Sequence, residues 1–83
     1  MKANENDRVV TTIDMAADFS DRIIPRGTHG TIVECYRGSK VGYAVDLELS
    51  DETLVGGYSY ENVILTEDQF ELETEVASPG ATD

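Results

Sequence analysis

GTIVECYRGSKVGYAVDLELS, residues 30–50, decides the fold. In its second half Tyr43, Val45, Leu47 and Leu49 alternate with Ala44, Asp46 and Glu48. A period of two places the first set on one face and the charges on the other, as in a half-buried antiparallel strand. The first half alternates less cleanly. Thr31, Val33 and Cys35 share one parity, and Ile32, Glu34 and Tyr36 share the other. Glu34 marks the outer face, so Val33 and Cys35 are expected inward, with Val33 in the core beside Val45 and Leu47. Ile32 then has the wrong parity, and a bulge near Gly30 is one remedy. Between the halves, RGSKVG carries Gly38, Ser39 and Gly42, so strands over 30–36 and 42–49 form a hairpin.

Upstream lies IPRGTHG, residues 24–30. Pro25 presets φ for a turn, Gly27 can take positive φ at little cost, and Gly30 lets the chain bend into a curved sheet. A phosphate loop is the competing reading of such glycines. It lacks a following helix and a Gly-Lys-Ser/Thr signature, so the turn is preferred. Further upstream, Val9, Thr11 and Ile13 share one face of a strand, whereas MAADFSDR (15–22) allows at most a helical turn. Downstream, Leu54 and Val55 begin a strand that Gly56 and Gly57 interrupt, and the apolar segment resumes over 62–65. TEDQ (66–69) is expected as one helical turn capped by Thr66, and Phe70 and Leu72 alternate with Glu71 and Glu73.

The outcome is an all-β chain of about five short strands, with at most one or two helical turns. A strongly bent antiparallel sheet or small closed barrel fits it best, because closure removes exposed edges. The domain is expected over 7–73. Residues 1–6 are read as a flexible lead-in, and 74–83 as a disordered acidic tail containing Ser78-Pro79-Gly80.

Charge narrows the function. Seventeen acids against six bases give −11. Six of the acids (Glu67, Asp68, Glu71, Glu73, Glu75 and Asp83) follow Thr66, where no base occurs. Binding to nucleic acid needs clustered Lys and Arg, and here Lys2, Arg8, Arg22, Arg26, Arg37 and Lys40 are scattered. An anionic membrane is disfavoured on the same ground. A basic protein is the matching partner, although acidity also serves solubility alone. The start of the chain lacks an apolar signal region, and a cytoplasmic location is the default.

Chemistry has few tools in this sequence. Cys35 is the single cysteine and His29 the single histidine, which rules out an internal disulfide or a thiol–histidine zinc cluster. As a nucleophile–base pair these two share a strand face but lie roughly 20 Å apart if extended. Asp14, Asp18 and Asp21 lack the alternation and glycine of a calcium loop. No cofactor and no enzymatic activity are expected. The candidate partner-binding residues are Tyr36, Tyr58 and Tyr60, with Asp18, Asp21 and Glu61 as an acidic rim. Packing over the ends of the sheet is the competing role for the tyrosines.

Residues 24–36, GYAVDL (42–47) and LTEDQF (65–70) together resemble a family of short bacterial and archaeal proteins of unknown function. Its pattern is Asp-x-Val-Val near the start, Pro-x-Gly-x-x-Gly-Thr-Val-Val, a Tyr-x-Val-x-Phe strand and a closing Asp-Gln-Leu. The resemblance spans about residues 7–73 and implies a Src-homology-3-like barrel. The chain departs from it at Leu47, where an aromatic is commoner, and at the added 56–60 segment. Such barrels host unrelated functions, so the resemblance implies no activity. Its likeness to ribosome- and polymerase-associated barrels makes a nucleic-acid-associated module the alternative, which the net charge opposes.

Overall fold

The computed structural model describes residues 2–18, 20–50 and 53–75. It is all-β, with strands β1 (Arg8–Thr11), β2 (Met15–Ala16), β3 (Ile23–Ile24), β4 (His29–Tyr36), β5 (Gly42–Ser50), β6 (Tyr58–Leu65) and β7 (Phe70–Leu72), then a 3₁₀ turn over Glu73–Glu75. Five strands form one antiparallel sheet in the order β6-β5-β4-β1-β7, and β2 pairs with β3 in a separate ribbon. The sheet is bent but open. Its outer strands β6 and β7 do not pair with each other among the described residues, so the expected bent sheet is present and the closed barrel is not.

The bend is visible in one contact. Two strands separate β5 from β7, which in a flat sheet would hold them about 14 Å apart. Yet the rings of Tyr43 on β5 and Phe70 on β7 meet edge to face, centroids 5.1 Å apart. Around them lie Val9, Ile24, Ile32, Val45, Leu47 and Leu65, all fully buried. The β5 alternation holds, with Tyr43, Val45, Leu47 and Leu49 all buried.

On β4 the expected parity fails, and the reason is local. Ile32 pairs with Val45, but the next matched residue is Glu34 opposite Ala44. Val33 is therefore the extra residue of a β-bulge. Ile32 is buried, Val33 is 46% exposed, and Cys35 again packs against the core. The bulge sits at Val33, not near Gly30. It also separates His29 from Cys35, which the unbroken alternation placed on one face. His29 points out and Cys35 in.

Gly30 has a different duty. A Cβ there would lie 2.6 Å from the Asp46 carbonyl oxygen and 2.8 Å from Leu47 Cδ2, so β4 and β5 approach too closely for any side chain. Gly27 takes φ +89° in the preceding turn. That turn is tied down by Thr11, whose hydroxyl donates to the Pro25 carbonyl and accepts from the Thr28 amide.

Other expectations change in register. Among the described residues of MAADFSDR there is no helical turn; Met15 and Ala16 pair with Ile24 and Ile23. Leu54 and Val55 lie in a turn closed by the Gly57 amide on the Leu54 carbonyl, with Gly56 at φ +91°, and β6 starts only at Tyr58. Ile13 falls beyond β1 and is exposed. Residues 66–69 form a single hydrogen-bonded turn, in which the Gln69 amide donates to Thr66 O and the Gln69 side chain accepts from the Thr66 amide. Of the segment read as a flexible lead-in, Ala3 is buried. The Lys2 amide donates to Tyr43 Oη and Glu67, and its ammonium lies 4.9 Å from the centre of the Phe70 ring. Asn6 and Asp7 exchange backbone bonds with Ile32. Of the expected tail, Thr74 and Glu75 belong to the 3₁₀ turn, and 76–83 fall outside the described residues.

Candidate functional site

The alternation of β6 sorts the candidate residues. Val63 and Leu65 face the core; Tyr58, Tyr60, Asn62 and Ile64 face outward. Tyr58, Tyr60 and Ile64 are each more than half exposed, at 56%, 65% and 52%. They form a strip about 20 Å long on the outer face of an edge strand. Tyr36, at the end of β4, is also exposed and joins Ile64, Val41 and Gly42 in an apolar depression of about 470 Å³. Gly42 makes this possible, since it sits directly across from Tyr36 without a side chain.

The tyrosines thus share a face but not a cluster. Tyr58 and Tyr60 occupy one end of the strip and Tyr36 the other, beside Lys40 rather than the acids. The nearby Glu34 carboxylate, with some burial, raises the Tyr36 phenol above its ordinary value. Ile64 is the residue the sequence reading missed. Continuing the Tyr58–Tyr60 parity along the strand would have found it.

Of the expected acidic rim, Glu61 lies on the opposite face of β6 from the tyrosines. Glu61 points inward, where Arg22 approaches its carboxylate at 3.6 Å and Ser20 donates to it at 3.3 Å. Arg22 also donates to the Ser59 hydroxyl at 2.5 Å. Glu61 is therefore neutralised and largely covered, not a free contact. Asp18 and Asp21 lie in the same β2–β3 connection; both are exposed, and neither makes an ion pair among the described residues. Asp14 accepts from the Arg26 amide at 2.7 Å and stands apart from them.

A charge network crosses the outer face from Glu48, which is matched with Tyr60 on β6, to Arg8 on β1. Arg8 makes two bonds to Glu48 and lies 3.3 Å from Glu73, which is also 2.7 Å from His29 Nδ1. The bond from Arg8 holds the Glu48 carboxyl below its usual range. His29 and Glu48 also border a cleft of about 490 Å³ with Arg22, Thr28 and Tyr58. His29 and Glu48 are already engaged by Glu73 and Arg8. Burial raises the Cys35 thiol, which opposes a reactive thiolate. Among the described residues, no three His, Cys, Asp or Glu side chains gather as a metal site, and no helix is long and apolar enough to cross a membrane.

No family model, no curated protein and no solved structure matches the chain.

Proposed function

We propose that this chain is a non-catalytic protein-interaction or regulatory module that docks a basic protein partner. An antitoxin, an immunity protein or an accessory subunit would have this character. The observation that carries it is the outward strip of Tyr58, Tyr60 and Ile64 in a chain of charge −11. Exposed aromatics gathered on one strand are a binding feature where a scattered few are not. The surrounding acids favour a positive partner and speed its approach.

The test is binding of the purified protein to three pools of short peptides, of positive, neutral and negative net charge. It is run at about 0.05 M and about 0.5 M salt, which changes the screening length several-fold. Preference for the positive pool, weakened by salt and lost in Tyr58→Ser/Tyr60→Ser/Ile64→Ser, is the expected outcome. Equal binding to all pools, or none, overturns it. A gel shift with a duplex at low salt tests the nucleic-acid alternative. A retarded band abolished by added salt would favour that reading instead.

A further inference from the structure

The hydrogen bonds of β4 fix which way the backbone of β6 points. Ile32 donates its amide to Asp7 O and accepts from the Asn6 amide, so both its polar groups face away from β5. Ile32 is matched with Val45, whose polar groups must then turn to β6, toward Val63. The β5–β6 register runs from Tyr43–Leu65 to Ser50–Tyr58 without a shift, so the alternation propagates along it. Ser59, Glu61, Val63 and Leu65 bond to β5. Tyr58, Tyr60, Asn62 and Ile64 turn their amides and carbonyls to the open edge. Among the described residues, no backbone group outside the strands bonds to the β6 backbone.

This edge is unusually bare. Edge strands are commonly guarded by lysine, proline, a bulge or short length. β6 has eight residues, no lysine, no proline and no register shift. Its one charge, Glu61, faces inward, a common guard in itself, but Arg22 neutralises it. The same four residues therefore present free backbone groups and, through three of them, exposed apolar side chains. On the other side of the edge, the β2–β3 connection touches Ser59 and Glu61 and carries the unpaired Asp18 and Asp21.

We propose that β6 takes up an extended basic segment of its partner as an added strand, apolar residues alternating with lysine or arginine. Main-chain bonds to Tyr58, Tyr60, Asn62 and Ile64 supply affinity, and the two faces supply specificity. Apolar side chains of the segment lie along Tyr58, Tyr60 and Ile64. Its basic side chains lie toward Asp18 and Asp21. A second copy of this chain is the poorer occupant, since it would bring −11 against −11. The proposal rests on the reading of the chain as a module for basic partners and specifies how that partner is held.

The probe is a capped peptide of alternating valine and lysine, about as long as β6 itself. Two derivatives carry N-methyl groups, one on every valine and one on every lysine. Only one parity can face β6 in an added strand. One derivative is expected to lose at least about tenfold in affinity, because several main-chain bonds vanish together, while the other keeps most of it. Asn62→Pro removes a free edge amide and the side-chain bond to Asp46, which Asn62→Ala removes alone; the proline variant is expected to weaken binding similarly and the alanine variant to keep most of it. If the peptide binds but both derivatives bind as well as the parent, strand addition is wrong and the interaction-module reading stands. If neither the peptide nor the positive pool binds, both fall. Self-association in sedimentation that is abolished by Asn62→Pro would assign the edge to a second copy and overturn the basic segment.

Discussion

Ile32 and Val33 are adjacent, similar in size and opposite in fate, which makes them the sharpest test of the fold. Ile32 is fully buried and Val33 is 46% exposed. Ile32→Ala deletes three buried carbons, about 2.4 kcal/mol of transfer free energy before the cavity is counted, and about 2–5 kcal/mol with it. Val33→Ala removes two carbons from a bulged residue that has no matched partner on β5, and should cost below about 1 kcal/mol. A domain of this size has only about 4–12 kcal/mol in total. With a urea slope of about 1 kcal/mol per molar, Ile32→Ala should lower the midpoint by about 2 M or more, or leave no folded baseline at all. Val33→Ala should lower it by less than about 1 M. Equal shifts, or a larger one at Val33, would refute the bulge and restore the unbroken alternation that buries Val33 in place of Ile32.

Gly30→Ala places a methyl 2.6 Å from a backbone oxygen that cannot swing away; a loss of about 1–3 kcal/mol is expected, read calorimetrically as a drop of roughly 5–20 °C. Gly56→Ala meets no atom within 4 Å and suffers only from φ +91°, so its drop should be the smaller of the two. For pH, the Lys2 amide and then the Tyr43 hydroxyl hold Glu67 below the ordinary glutamate value of 4.5. A depressed folded value means stability that is present above 4.5 and lost as pH falls through the folded value. Melting curves of the wild type should therefore fall more steeply below that pH than those of Glu67→Gln. Parallel profiles would count against the Lys2–Glu67–Tyr43 contact.

Much of the sheet was legible because β5 states its own periodicity. Tyr43, Val45, Leu47 and Leu49 fall on one parity and are all buried, with Ala44 the one buried residue between them, and a strand paired on both edges leaves no freedom of parity. The hairpin and the Gly27 turn followed from residues whose backbone preferences are strong. The bulge was half legible. The parity conflict at Ile32 is readable in the residues, but Gly30 is the conformationally free one nearby, and its role as a close-approach point depends on Asp46 and Leu47 across the sheet. The β2–β3 ribbon was hidden because two-residue pairings leave no period to detect. Ala3 was hidden for the opposite reason: a small residue in a polar stretch carries no signal, and its burial follows from Lys2 and Asn6 binding to distant partners. At the candidate site, residue type points to Tyr58 and Tyr60, and strand parity separates them from Glu61, the fourth of the eight residues of β6.

The open sheet bears on why an edge survives at all. Closing a five-stranded sheet would pair β6 with β7, yet β7 has three residues and β6 has eight. Even a full pairing with β7 would leave most of β6 without a partner. The Tyr43–Phe70 contact and the Lys2 bonds to Glu67 and Phe70 already seal the core at the end where the two strands approach. The core therefore gains little from further closure, while the length of β6 is set by β5, which matches all eight of its residues. An edge strand of this length, with three apolar residues on its outward face and no basic guard, is a liability to an isolated chain. A dense negative charge offsets that liability against copies of itself while favouring positively charged segments. On this argument the charge and the open edge are two parts of one selectivity device. Neutralising Asp18 and Asp21 should weaken binding of the valine–lysine peptide and should not raise binding of its valine–glutamate counterpart to the same level.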